Sequence, residues 1–306
     1  MTYQVFSAIL ETFLIYVIGA LCLKSRMIKN DWLPGLTRVA LDVMMPLLTF
    51  TAITKNFNRD NLNEFWQMPL LGFLTVAFGA LCGLLFIRFM RKDSPDRKAA
   101  FLHLCAINNF LYLPIIVLQN LYPEGRHVAL LLTMNVGSTI GLWTIGVVTL
   151  AGGDWKQGVR NVFSINLYAV LLALPVAAFN IKLPPVLSHG LAQVGSMCVP
   201  FSLLLIGAAL YNIGGKVLNH WGDALWYSAV RLVFIPLLTI LLLRMLPLST
   251  EVFQTLAVVA LMPASCNAVL MTQRYGGSTE FAGQAILVTT ILSVITMPLG
   301  VYFMNF

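Results

Sequence analysis

Charge is what this 306-residue chain has least of. Only 10% of its residues are Asp, Glu, Lys or Arg, while 58% are hydrophobic. Soluble domains carry about 25% charged residues. The shortfall excludes a water-soluble globular fold and leaves almost no chain for a soluble domain. Cysteine is also scarce. Cys22, Cys82, Cys105, Cys198 and Cys266 stand singly in apolar segments, without metal-ligand spacing and without the pattern of a disulfide framework. They read as small packing residues. No His-Glu-x-x-His, Gly-x-Ser-x-Gly or P-loop motif occurs, so neither an intramembrane enzyme nor an ATP-driven pump is indicated. No metal or cofactor is expected. A channel would need a ring of acids or a glycine-rich filter, and neither is present.

What is there is a series of apolar runs, with mean hydropathy +0.83. Hydropathy predicts about ten spans of roughly 20 residues each, near 3–23, 34–54, 66–90, 98–121, 127–150, 161–179, 189–213, 222–246, 252–273 and 280–304. The first run lacks a basic leader and a small-residue cleavage pattern, and it contains Glu11, so it reads as a span rather than a signal peptide. Trp32, Trp66, Tyr122, Trp155, Trp221 and Tyr275 stand near span ends, as an interfacial belt requires. Alternate loops differ in basic content. One set holds Lys24, Arg26, Lys29, Arg88, Arg91, Lys92, Arg97, Lys98, Lys156, Arg160, Lys216 and Arg274. The other holds Lys55, Arg59, Arg126, Lys182 and Arg244. Arg38 and Arg231 sit just inside spans that begin on the first side. The positive-inside rule then places both termini outside. The formal charge of +7 thus reads as orientation and contact with anionic lipid, not as nucleic-acid binding.

Two runs contain residues that lipid does not tolerate alone. Asn108-Asn109-Phe110-Leu111-Tyr112-Leu113-Pro114 interrupts the fourth span, and Met262-Pro263-Ala264-Ser265-Cys266-Asn267 interrupts the ninth. Proline removes a backbone donor, and buried carboxamides need partners. The two halves also echo each other. Pro46 and Pro200 lie 154 positions apart, Arg88 and Arg244 156, and Tyr122 and Tyr275 153. The expected organisation is two five-span repeats, 1–150 and 151–306. An odd number of spans makes the second repeat inverted and makes spans 4 and 9 equivalent. Paired interruptions of this kind point to a transporter's substrate site.

The expected fold class is therefore an all-α polytopic membrane protein with broken helices 4 and 9. Helix N-termini attract anions, and neutral amides bind a carboxylate without stranding a charge when the site empties. Substrate-binding candidates are Asn108, Asn109, Tyr112, Asn267, Ser265 and Thr49. The competing reading is that the asparagines only cap helix ends, that Tyr112 packs, and that Thr49 bonds its own helix. Pro114, Pro263, Pro46 and Pro200 are the helix-breaking candidates. Asp42 and Glu11 are intramembrane acids and hence coupling candidates, although Arg38 one turn before Asp42 offers a plain ion pair. His103 reads as a packing histidine sooner than a proton relay. Coupling to a proton or to sodium is left open.

With these residues in view, the chain resembles the auxin efflux carrier family, which includes plant PIN carriers and bacterial organic-acid carriers. Pro46-Leu47-Leu48-Thr49-Phe50 looks like the second-span motif. The run from Pro200 to Leu210 is similar to the seventh-span signature, and Met262–Ala268 followed by Tyr275-Gly276 to the ninth. The fourth span departs. Ile107 stands where the family commonly has asparagine, and Tyr112 stands at a usual glycine place. The resemblance implies a scaffold of helices 1, 2, 6 and 7 and a transport domain of helices 3–5 and 8–10, with broken helices 4 and 9 crossing where they break, in a fold related to sodium/bile-acid symporters. It implies a secondary carrier of small organic anions, such as malate-like, malonate-like or auxin-like acids, working by elevator-type alternating access in a bacterial inner membrane. A homodimer through the scaffold helices is a further expectation. The rival expectation is a channel-like or sensory membrane protein on the same fold.

Overall fold

The computed structural model describes residues 2–56, 62–90, 94–150, 165–214, 221–265 and 267–304. Arg59, Arg91, Lys92, Trp155, Lys156, Arg160, Lys216 and Cys266 lie outside them, as does the start of the second repeat.

Every regular element among the described residues is helical. Helix α1 is Thr2–Lys24, and its 23 residues reach about 35 Å, enough to cross hydrocarbon. Six further helices are long and apolar enough to cross a membrane: α2 (Asn30–Asn56), α3 (Phe65–Phe89), α6 (Arg126–Gly146), α8 (Pro185–Asn212), α9 (Gly222–Arg244) and α12 (Thr279–Met304). Between them run shorter pieces. These are α4 (Pro95–Ala106), α5 (Tyr112–Leu121), α7 (Ile165–Ala178), α10 (Thr250–Ala260) and α11 (Asn267–Tyr275). The chain is thus an all-α membrane protein whose fourth and ninth apolar runs are each made of two short helices.

Prolines explain most departures from regular helix. Pro200 removes the donor for the Ser196 carbonyl, and α8 is interrupted at Met197 between Pro185–Ser196 and Cys198–Gly214. Before Pro46 and before Pro236 the helix widens into a π turn, Ala40–Met44 and Val230–Phe234. A wider turn re-registers the ladder around the missing N–H.

The helices pack closely where glycine allows. In α3 and α6, Gly72 and Gly137 each face backbone of the other helix, and the Ser138 hydroxyl donates to the Gly72 carbonyl at 3.4 Å. In α1 and α8, Gly19 faces Leu204 and Gly207 faces Tyr16 in the same way. Small residues at both contacts give dispersion contact that apolar lipid cannot outbid. Helix α2 in turn packs on α7 and on the first part of α8.

Contacts between loops sort the helix ends onto two faces. On one, Asn212 donates to Asn30 at 2.7 Å, Arg97 pairs with buried Asp223 at 3.3 Å, and the Ser278 N–H donates to the Asp96 carbonyl at 2.9 Å. On the other, Arg126 pairs with Glu251 at 2.7 Å and Gly125 packs on Asn56. There Tyr122 stacks on His127 with ring centroids 3.7 Å apart. Burial, assisted by Glu124, pushes the Tyr122 hydroxyl up to about 12.

Candidate functional site

The two interrupted segments meet. Asn108 and Ala264 form an isolated antiparallel bridge, and the Asn109 N–H donates to the Pro263 carbonyl at 2.9 Å. Each extended stretch thereby satisfies backbone groups of the other, which is the condition for non-helical chain at membrane depth.

The bonding around this crossing follows from what proline takes away. In a continuous helix the N–H of residue 263 would serve the Val259 carbonyl; Pro263 has none. The Asn108 side-chain amide donates to that carbonyl instead, at 2.6 Å, beside the Met262 N–H at 3.1 Å. The Ala264 N–H, which a helix would direct at Ala260, instead donates to the Thr289 hydroxyl of α12 at 3.3 Å. The vacated Ala260 carbonyl accepts from Arg231 Nη2 at 2.8 Å, and the Met262 carbonyl from Arg231 Nε at 3.0 Å. On the α4 side, the Leu104 carbonyl accepts from the Tyr227 hydroxyl at 3.0 Å. Side chains thus supply donors to the Leu104 carbonyl of α4 and to the Val259 and Ala260 carbonyls of α10.

The N-terminal ends are different. Helix α5 opens at Tyr112 without a side-chain cap, and Pro114 is accommodated in its first turn. Helix α11 opens at Asn267, whose N–H reaches the Ser265 hydroxyl at a long 3.4 Å. Two N-termini, each with partial positive charge, thus flank a crossing where the Leu104, Val259, Ala260 and Met262 carbonyls already accept side-chain bonds.

The sequence-derived candidates distribute unevenly. Asn108 and Asn109 are both at the crossing, 3% and 6% exposed. The Asn108 amide is committed to Val259, as the capping reading expects. The Asn109 side chain makes no hydrogen bond found among the described residues. Ser265 is buried there, and Tyr112 is half-buried against the main core. Asn267 is exposed at the start of α11. Thr49 and Pro46 are buried within α2, whereas Pro200 is exposed. Pro114 and Pro263 lie at the breaks. Asp42 pairs with Arg38 at 3.2 Å on an exposed helix face. Glu11 is exposed on α1, where the Ser7 hydroxyl donates to it at 3.3 Å. Neither acid is at the crossing. His103, fully buried, has Nδ1 2.7 Å from the Gly146 carbonyl.

Tyr227, Arg231 and Thr289 were missed by sequence reasoning. Arg231 had a signal, a lone arginine about nine residues into an apolar run, but it was read as an orientation charge. Tyr227 and Thr289 had none, because their partners lie more than 20 residues away in sequence.

A polytopic helical protein with two discontinuous helices bonded at their breaks has the architecture of a membrane transporter. The chain belongs to the membrane transport protein family, the auxin efflux carrier-like group, whose sequence profile matches it twice, along residues 4–162 and again along 154–301. It is also similar to an uncharacterized transporter of Methanocaldococcus jannaschii, 20% identical over 278 residues, which cover 89% of this chain and 90% of that protein.

Proposed function

We propose that this transporter is a secondary carrier of small organic anions, without enzymatic activity, and that the crossing is its substrate site. The observation that carries the reading is the pairing at the breaks. Carbonyls that would repel a carboxylate are taken up by Asn108, Arg231 and Tyr227, while the N-termini of α5 and α11 open beside them. Asn109 supplies a neutral amide to the bound carboxylate, with Ser265 and Tyr112 nearby. Malate-like, malonate-like or auxin-like acids fit that chemistry. Helices α1, α2, α7 and α8 form the scaffold, and the two broken segments with α3, α6, α9 and α12 form the moving domain of an elevator. The setting is a bacterial inner membrane with both termini outside. Counterflow in proteoliposomes tests the function: vesicles preloaded with unlabelled carboxylate accumulate labelled carboxylate transiently. Failure across mono- and dicarboxylates, with accumulation of a neutral or cationic solute instead, would refute the proposal.

A further inference from the structure

Arg231 is 3% exposed, yet among the described residues no carboxylate pairs with it. It donates to two main-chain carbonyls, Ala260 and Met262. The neighbouring titratable side chains are neutral ones, Tyr227 of α9, Cys105 of α4 and Cys82 of α3. A guanidinium stays charged under all ordinary conditions. Desolvating it is costly unless something offsets the charge, and two carbonyls do not require it. At Val259 the neutral amide of Asn108 performs the same task. The opposite half of the molecule does without such a charge. Around residue 77, the place equivalent to 231 at the repeat spacing, the chain reads Thr75-Val76-Ala77-Phe78, and the Leu104 carbonyl there is served by a tyrosine hydroxyl. The charge is therefore an addition to one side of the crossing, held by a π turn, a deformation frequent at functional sites. Met262, which Arg231 holds, is directly followed by Pro263, which holds Asn109.

We propose that Arg231 is the specificity-determining charge of the carrier: a fixed cation behind the crossing that makes it choose the ionised carboxylate over an uncharged isostere. This rests on the reading of the crossing as the substrate site. The substrate class it selects is an anion whose charge offsets one buried guanidinium. In a partly desolvated site, removing one full charge should lower the preference about tenfold or more.

The test is counterflow with purified wild-type carrier and variants, comparing a carboxylate with its amide isostere. Arg231→Gln should lose the preference for the carboxylate, and Arg231→Lys, which keeps the charge but not the fork, should retain it. Cys82→Asp sets a carboxylate near the guanidinium and offsets its charge while Arg231 itself is kept, and it should lose the preference as Arg231→Gln does. It decides the matter if Arg231→Gln does not fold. Preference unchanged in Arg231→Gln or Cys82→Asp overturns the inference. So does equal loss in folded Arg231→Gln and Arg231→Lys, which would mean that the bonds and not the charge matter. A wild-type protein that prefers the amide overturns this inference and the proposed function together; the other outcomes strike this inference alone.

Discussion

Replacing the two adjacent asparagines one at a time should separate holding the crossing together from holding the substrate. In Asn108→Ala the Val259 carbonyl loses its 2.6 Å donor in a place where water is scarce. That carbonyl keeps only the Met262 N–H at 3.1 Å, and losing a buried hydrogen bond costs about 0.5–1.5 kcal/mol, so this variant should unfold at lower temperature in detergent, with or without substrate. In Asn109→Ala nothing among the described residues loses a side-chain partner, and the main-chain bond to Pro263 persists. Its stability should match wild type. What it loses is an amide donor to a charged oxygen, worth about 1.5–3 kcal/mol, or roughly a ten- to hundredfold weaker dissociation constant. The assay is thermal unfolding paired with equilibrium binding of one transported carboxylate. Wild-type affinity in folded Asn109→Ala would refute the placement of substrate at the crossing. Wild-type stability in Asn108→Ala would refute the account of how the broken helix is satisfied.

Other outcomes follow from the same geometry. A single cysteine at Asn58 should be labelled from outside intact cells and one at Ser94 should not; labelling of Ser94 would reverse the orientation. Arg97→Ala and Asp223→Ala should each destabilise by about 3–5 kcal/mol, because each breaks a buried ion pair; unchanged unfolding temperatures would contradict this. Asp42→Asn should cost under about 1 kcal/mol, since its pair with Arg38 is exposed, and should leave uptake driven by a pH gradient intact. Loss of that uptake with exchange preserved would instead make Asp42 the coupling group.

The spans were legible because lipid imposes one requirement, an apolar run of sufficient length, and composition reports it directly. The two breaks were legible for the opposite reason, since Asn108, Pro114 and Pro263 are what such runs avoid. The partners were not legible. Val259 receives Asn108 only because segments some 150 residues apart cross at one register, and register between helices leaves no local trace. The π turns before Pro46 and Pro236 are likewise one of several ways around a proline. Arg231 shows how a correct rule misleads. Basic residues near span ends do report orientation, but this one lies deep enough to be buried, and depth follows from how α9 packs against the second break.

The bridge between Asn108 and Ala264 makes the two interrupted segments depend on each other. Either one alone would carry an extended stretch with idle hydrogen-bonding groups into hydrocarbon. What completes it is the other stretch, running antiparallel to it. Co-expression of the two halves as separate chains should yield folded protein only when both are present.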